Sequence, residues 1–339
     1  MKISTMINTL PQAQAEAAQM EALGYDVLFT NESKHDPFVL AALAAERTSQ
    51  LEIMTYIAVA FARTPMLAAH SAHDLNELSK GRFTLGLGSQ IKAHIERRFS
   101  MPWTHPAPRM KEFIQALHAI WDCWYDGKPL KFEGRFYTHS LTSPMFIPLD
   151  TQYGRPKVAL GAVGPHMTKV AAEVADGLLC HSFTTPRYLR EVTIPTVERV
   201  LKANGRARDK FRLVGMPFVA VGETDELLET AVAGAKKTVS FYASTPAYKA
   251  VLDSHGLGDI QPEMLRLSKL GRWQDMAALV SDELLNTFVV VGNATACARE
   301  LSRRYEGIFD LIGGYAGSSP GMPLEVMLAI KQLQGRAQR

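Results

Sequence analysis

Short, nearly continuous apolar runs alternate along this chain with stretches whose apolar residues recur at helical spacing. The first run spans residues 2–7. AQAEAAQMEALG follows after Pro11 as a helix, with Gly24 as its C′ residue. The same unit returns at 25–30 before a helix near Pro37 to Arg47, and at 51–61 before one near Pro65 to Leu78. RFTLGLG at 82–88 precedes a polar stretch and a helix around Arg109 to Tyr125. Residues 126–156 interrupt the rhythm with Gly, Pro and aromatic residues and predict an insertion with a small hairpin, of the kind that covers a barrel mouth.

The alternation resumes at 157–163, 177–183 and 211–222, with helices starting at Pro165, at Pro186 and near Thr224. Residues 240–285 read as extra helices, and FDLIGGY at 309–315 closes the series before a helix from Pro323 to Leu333. FVVVG at 288–292 fits either the last unit or the insert, and setting it aside leaves eight core strands. Apolar strands separated by helices imply a parallel sheet covered by helices, and at this length a closed barrel fits better than an open sheet. The expected fold is an α/β (β/α)₈ TIM barrel, one domain over residues 1–339, with insertions at about 126–156 and 240–285.

Composition narrows the function. With 47% apolar and 21% charged residues, the 339-residue chain can bury a large core. Its formal charge of +3 comes from 37 basic and 34 acidic residues spread along the sequence, so a nucleic-acid partner is not expected. Cys123, Cys180 and Cys297 lie far apart without a CxxC pair, which argues against a disulfide framework or zinc knuckle and favours a reducing cytoplasm. No apolar run is long enough for a signal peptide or membrane span.

Barrel enzymes place their chemistry in the loops after the strands. After the fifth strand, Gly161-Ala162-Val163-Gly164-Pro165 sets small residues before a helix start, where backbone N–H groups and the helix dipole would hold a phosphate; a simple turn into the helix fits the residues as well. After the fourth, Gly86 and Gly88 lead into Ser89, Lys92, His94, Glu96, Arg97 and Arg98, either a binding loop or a tight turn with a solvated helix. It is no dinucleotide fingerprint, because Ile91 stands where a third glycine is needed. After the second, Asn31, Glu32, His35 and Asp36 could grip a heterocycle or move protons, or serve as a capped turn. His70, His73 and Asp74 lie mid-helix without further ligands and are not read as a metal site, and the aromatic residues near 110–125 are read as core. No P-loop, G-x-S-x-G elbow or H-E-x-x-H motif occurs.

Taken together, LGLGSQIKAHIERRFSMPW, IAVAFARTP, TNESKHDPF and GAVGPHMTKVAAEVADG resemble the bacterial luciferase-like superfamily of flavin and deazaflavin oxidoreductases, in its actinobacterial coenzyme F420-dependent branch. The resemblance spans nearly the whole chain. It implies an F420-dependent oxidoreductase that moves a hydride between the deazaflavin and a small organic substrate. It puts the cofactor's phosphate at Ala162, Val163, Gly164 and Pro165, and ring contacts at Asn31, Glu32 and Gly88. A non-proline cis peptide after the third strand would set Val59, Ala60 and Phe61 behind the ring. Ser89 and Lys92 stand where related deazaflavin enzymes carry an acidic residue and an amide, a departure that leaves Glu32 and His35 as acid–base candidates. Lys92, Arg97 and Arg63 could offset a polyglutamyl tail. The resemblance further implies a homodimer. The alternatives are an FMN-dependent monooxygenase fed by a partner reductase, a non-catalytic binding barrel, and a metal-dependent hydrolase.

Overall fold

The computed structural model describes residues 1–316 and 319–337. Eight strands form its centre: β1 (Lys2–Ile7), β2 (Val27–Thr30), β3 (Glu52–Thr55), β4 (Phe83–Gly88), β5 (Lys157–Ala162), β6 (Gly177–Cys180), β7 (Arg212–Gly215) and β8 (Leu311–Ile312). Each pairs in parallel with the next, and β8 returns to β1 through Lys2↔Leu311 and Ile3↔Ile312, so the ring closes. A ninth piece, Ala58–Val59, prolongs β3 and pairs only with the end of β4. The expected barrel is therefore present, with every strand edge paired.

Around it run α1 (Ala13–Leu23), α2 (Pro37–Arg47), α3 (Pro65–Leu78), α4 (Pro106–Asp126), α5 (Pro165–Val174), α6 (Ile194–Ala203), α7 (Ala294–Tyr305) and α8 (Leu324–Ala337). Gly24 ends α1 in the left-handed region at φ 91°. Ahead of α6 the helical turn widens into a π-helical segment at Leu189–Thr193. Pro195 supplies the reason, since it has no N–H and its ring crowds the preceding turn.

Alternation along the strands divides the core. Val27, Phe29, Met54, Ala159, Leu179, Val214, Met216 and Leu311 fill the barrel's interior, while neighbours such as Leu28 and Ile53 face the helices. Tyr56, Ile57 and Tyr315 lie on the interior cluster and form the floor of the barrel mouth.

Two expectations need correction. The runs at 211–222 and 309–315 are not single strands: Phe218–Val221 and Tyr315–Ala316 leave the barrel and join Val289–Gly292 and Ser319–Pro320 in a second, four-stranded sheet. Pro217, which has no N–H to give a ladder, marks the first break. The 126–156 insertion does contain a hairpin, Phe132–Glu133 against Thr138–His139, and it packs along α4. Its tip is held by the Glu112 carboxylate, which accepts N–H bonds from Arg135, Phe136 and Tyr137 at 2.6 to 2.9 Å. The helices of the other insertion enclose a separate apolar cluster including Phe183, Phe218, Val239 and Phe288.

The joint between β3 and β4 tolerates no side chain at Gly86. A Cβ there would stand 1.8 Å from the Thr55 carbonyl oxygen, and the Thr55 hydroxyl bonds both Gly86 N–H and Gly86 O, at 2.8 and 2.7 Å. Gly86→Ala should destabilise the fold by about 3 kcal/mol, read as a lower denaturant midpoint at unchanged slope; a midpoint equal to the parent's would contradict this packing.

Candidate functional site

The strand ends β1 to β5 make one side of the mouth. At β5, Gly161 is glycine for packing reasons, because a Cβ would press on Leu87 O at 3.3 Å and Ile57 Cγ2 at 3.4 Å. Gly164 differs: a Cβ there would meet nothing within 4 Å. It is the N-cap of α5 and offers no side-chain cap, whereas Asp36, Thr64 and Asn293 cap α2, α3 and α7 with their own oxygens. The start of α5 therefore presents backbone donors to open space, a setting suited to an anion. Ala162 and Val163 line a cavity there together with Thr168, His181, Thr184 and Leu189.

The loop after β2 is tied to the loop after β3 through Glu32. Its N–H donates to Ile57 O at 3.2 Å, and its Oε2 accepts from Val59 N–H at 2.7 Å and Arg63 Nη1 at 2.5 Å. Arg63 also holds Asp36 at 2.9 Å. Both charged ends of the Glu32–Arg63 pair are largely buried, at 9% and 14% side-chain exposure. Arg63 is thus an internal tie and is not free to meet a polyglutamyl tail; that expectation is corrected. Asn31 Oδ1 accepts from the Ser33 hydroxyl at 3.0 Å, and His35, half-buried, has no hydrogen-bond partner among the described residues.

The expected non-proline cis peptide is Tyr56–Ile57, upstream of the positions foreseen. Val59, Ala60 and Phe61 are wholly buried, and Phe61 lies under the Arg109 guanidinium at 4.4 Å. They have no surface to offer a ring, so the residue placed to back one is Ile57. Its side chain lies where a Cβ on Gly88 would intrude at 2.8 Å. Ser89 sits at the rim with its hydroxyl on Gln90 O. Lys92 is exposed on a short helix, Lys92–Arg97, facing Glu96 at 3.8 Å.

Two buried polar atoms in this half lack partners: Asn8 Oδ1 just after β1 and Thr30 Oγ1 at the end of β2. Unpaired buried oxygens are costly, and Asn8, which keeps some surface, can meet an incoming donor; Thr30 is wholly buried. From there the floor crosses Ile57 to the open start of α5. Such a course suits an elongated ligand with hydrogen-bonding ring edges at one end and a phosphate at the other, and a flavin-type cofactor fits these residues.

The opposite side of the mouth, which the strand pattern did not bring forward, is aromatic. Tyr56 spans the barrel and donates its hydroxyl to Cys180 O at 2.5 Å. His181, the first residue beyond β6, stacks on Tyr248 with centroids 4.6 Å apart and meets Tyr242 edge-on at 4.7 Å. Its Nδ1 accepts from Phe183 N–H at 3.0 Å, leaving Nε2 to carry the ring proton toward Tyr248 Oη at 3.1 Å. Burial lowers the His181 pKa to about 4 and pushes the Tyr248 phenol up to about 12 and the Cys180 thiol to about 12. It also raises the Tyr56 and Tyr242 phenols, with Tyr315 adding to the effect at Tyr242. All of these groups are uncharged at neutral pH. A polar residue ending an apolar run, as His181 does in GLLCHSF, was the available signal; Tyr242 and Tyr248 gave none, because only folding carries their helices to the rim.

Among the described residues no group of three His, Cys, Asp or Glu could hold a metal ion. His73 Nδ1 instead contacts the Tyr125 hydroxyl at 2.7 Å, and its ring and that of His70 pack on Trp124. Nor is any described helix long and apolar enough to cross a membrane.

A closed parallel barrel with an open helix start at β5 and a hydrogen-bonding rim at β1 and β2 defines a class of cofactor-binding barrels. Sequence comparison makes this specific: a model of the luciferase-like monooxygenase family matches residues 2–311, and the chain belongs to that family. It is 50% identical over 305 residues to an uncharacterized protein of Mycobacterium tuberculosis, covering 90% of each chain. It is 25% identical over 280 residues to the 5,10-methylenetetrahydromethanopterin reductase of Archaeoglobus fulgidus, covering 80% of this chain and 79% of that one. The coenzyme F420-dependent tetrahydromethanopterin reductase structure from Methanopyrus kandleri superposes with a TM-score of 0.79 at 18% identity, covering 97% of this chain and 96% of that one.

Two outcomes test this geometry. Because His181 resists protonation in the fold but titrates near its usual 6.5 in the unfolded chain, its contribution to stability is full above that value and is lost as pH falls toward 4. The loss should approach about 3 kcal/mol, and His181→Gln should flatten the stability slope in that window in calorimetric scans at stepped pH; equal slopes for parent and variant would refute it. Glu32→Ala, which leaves Arg63 only Asp36 as a charged partner and unpairs Val59 N–H, should lower unfolding free energy by about 1 to 3 kcal/mol in denaturant titration.

Proposed function

We propose that this protein is a coenzyme F420-dependent oxidoreductase acting on a small organic molecule. The observation that carries the reading is the uncapped, open start of α5 beside Gly161 and Ile57, with the unpaired Asn8 Oδ1 after β1 on the same rim. The resemblance to methylenetetrahydromethanopterin reductases in sequence and fold supports the same choice.

In this reading the phosphate lies on the backbone of Ala162, Val163, Gly164 and Pro165, and Ile57 backs the ring above Gly88. Asn31 and Asn8 meet the ring edge, and Ser89 and Lys92 border it. When bound, the deazaflavin supplies a carbon that gives or takes a hydride. The chain's part is to fix the ring against Ile57, to keep the substrate above it and to exclude water. Glu32 acts through the loops it ties together, and His35 keeps its ring nitrogens available at their edge. The protein works as a cytoplasmic homodimer with a small-molecule substrate and no nucleic-acid or membrane partner.

Titration followed by cofactor fluorescence should show micromolar binding of F420 and none of FMN; FMN binding without F420 binding would instead establish the flavin monooxygenase chemistry of the wider family. Gly164→Glu places a carboxylate in the open space at the start of α5. It should weaken F420 binding at least tenfold while leaving the melting temperature unchanged, and unchanged affinity would remove the phosphate from this loop.

A further inference from the structure

In the aromatic half of the mouth, the Tyr248 hydroxyl proton has no acceptor among the described residues. Tyr56 gives its proton to Cys180 O, and Tyr242 lies against the Tyr315 hydroxyl. At Tyr248 the order is fixed from behind: Phe183 N–H donates to His181 Nδ1, and His181 Nε2–H donates to Tyr248 Oη. Tyr248 therefore accepts from His181, and its own hydrogen has no acceptor among the described residues. The ring is held flat by its stack on His181, at an interplanar angle of 25°. His181 lines the same cavity as Ala162 and Val163, and Tyr248 stacks on its ring, partly exposed.

We propose that Tyr248, positioned by His181, donates its hydroxyl hydrogen to the oxygen of the substrate, and that the substrate is an uncharged, ring-bearing carbonyl compound or the corresponding alcohol. This deepens the oxidoreductase reading and rests on it. The site walls fit that class. His181, Tyr242, Tyr248 and Tyr315, all partly exposed, supply flat faces, and none of the four carries a charge to pair with a ligand. A carboxylate brought there would lose its hydration without gaining a counter-ion. In the reducing direction a hydride from the reduced deazaflavin bonds to the carbonyl carbon. The C=O π pair moves to oxygen and takes the Tyr248 hydrogen. The phenolate left behind is held by His181 Nε2–H and recovers a proton from water. A phenol kept protonated by burial is still a stronger acid than an aliphatic alcohol, so the transfer runs downhill.

The test uses binding rather than turnover. Benzaldehyde, benzyl alcohol, toluene and benzoate are titrated by calorimetry into the whole protein, with and without oxidised F420. Benzaldehyde and benzyl alcohol should bind about tenfold more tightly than toluene, and benzoate should not bind. Tyr248→Phe should bring benzaldehyde down to the affinity of toluene and leave toluene unchanged, with an unaltered circular dichroism spectrum. His181→Leu should mimic that loss, and His181→Gln, which keeps an N–H near Nε2, should restore most of it. Benzoate binding as tightly as benzaldehyde, an unchanged benzaldehyde affinity in Tyr248→Phe, or no binding of any probe in either state would overturn the assignment. F420 affinity, measured separately on the same variants, tells failure of this inference from failure of the cofactor reading: Tyr248→Phe should leave it within a factor of two.

Discussion

Closure of the eight-strand ring is the constraint on which everything else in this protein rests. A parallel strand leaves both of its edges unsatisfied until it has two neighbours, and the β8–β1 pairing at Lys2 and Ile3 removes the last open edge. Once closed, the ring sends all its strand ends to one rim. Residues as distant in sequence as Asn8, Thr30, Ile57, Gly88, Val163 and His181 become neighbours without any local sequence relation between them.

The rim divides into halves with different chemistry. Between β1 and β5 the rim carries the unpaired oxygen of Asn8 and the open start of α5, with the Glu32–Arg63 pair locking the loops beneath. Beyond β6 stands an aromatic group of His181, Tyr242 and Tyr248, most of it delivered by the insertion that carries the two tyrosines. Tyr56 joins the halves, since its backbone belongs to the β3 end and its hydroxyl to the β6 end. A ring lying on Ile57 would have one face against the protein and the other toward the aromatic wall, which is the separation of roles a hydride transfer needs.

Insertions show how local pattern and tertiary position part company. Residues 127–140 have the composition of a hairpin and form one, yet the Glu112 carboxylate on α4 decides where its tip lies. Residues 211–222 carry an unbroken β pattern, yet they serve two sheets, because Pro217 interrupts the ladder and Val289–Gly292 offers Phe218–Val221 a new partner. Arg63 looks in sequence like a free cation beside a binding loop, and in the fold it is consumed by Glu32 and Asp36.

By itself the sequence determined the barrel, its eight strands, most helix starts and the β5 loop, because those features follow from apolar periodicity, proline and glycine placement and capping, all of which act over a few residues. It also carried the family resemblance. Only the tertiary structure decided which side chains share the mouth: that Glu32 is spent on Arg63, that Ile57 and not Val59 to Phe61 lies on the floor, and that His181 meets Tyr248. The physical reason is that such contacts depend on ring closure and on the path of a long insertion, and neither leaves a periodic trace in the chain.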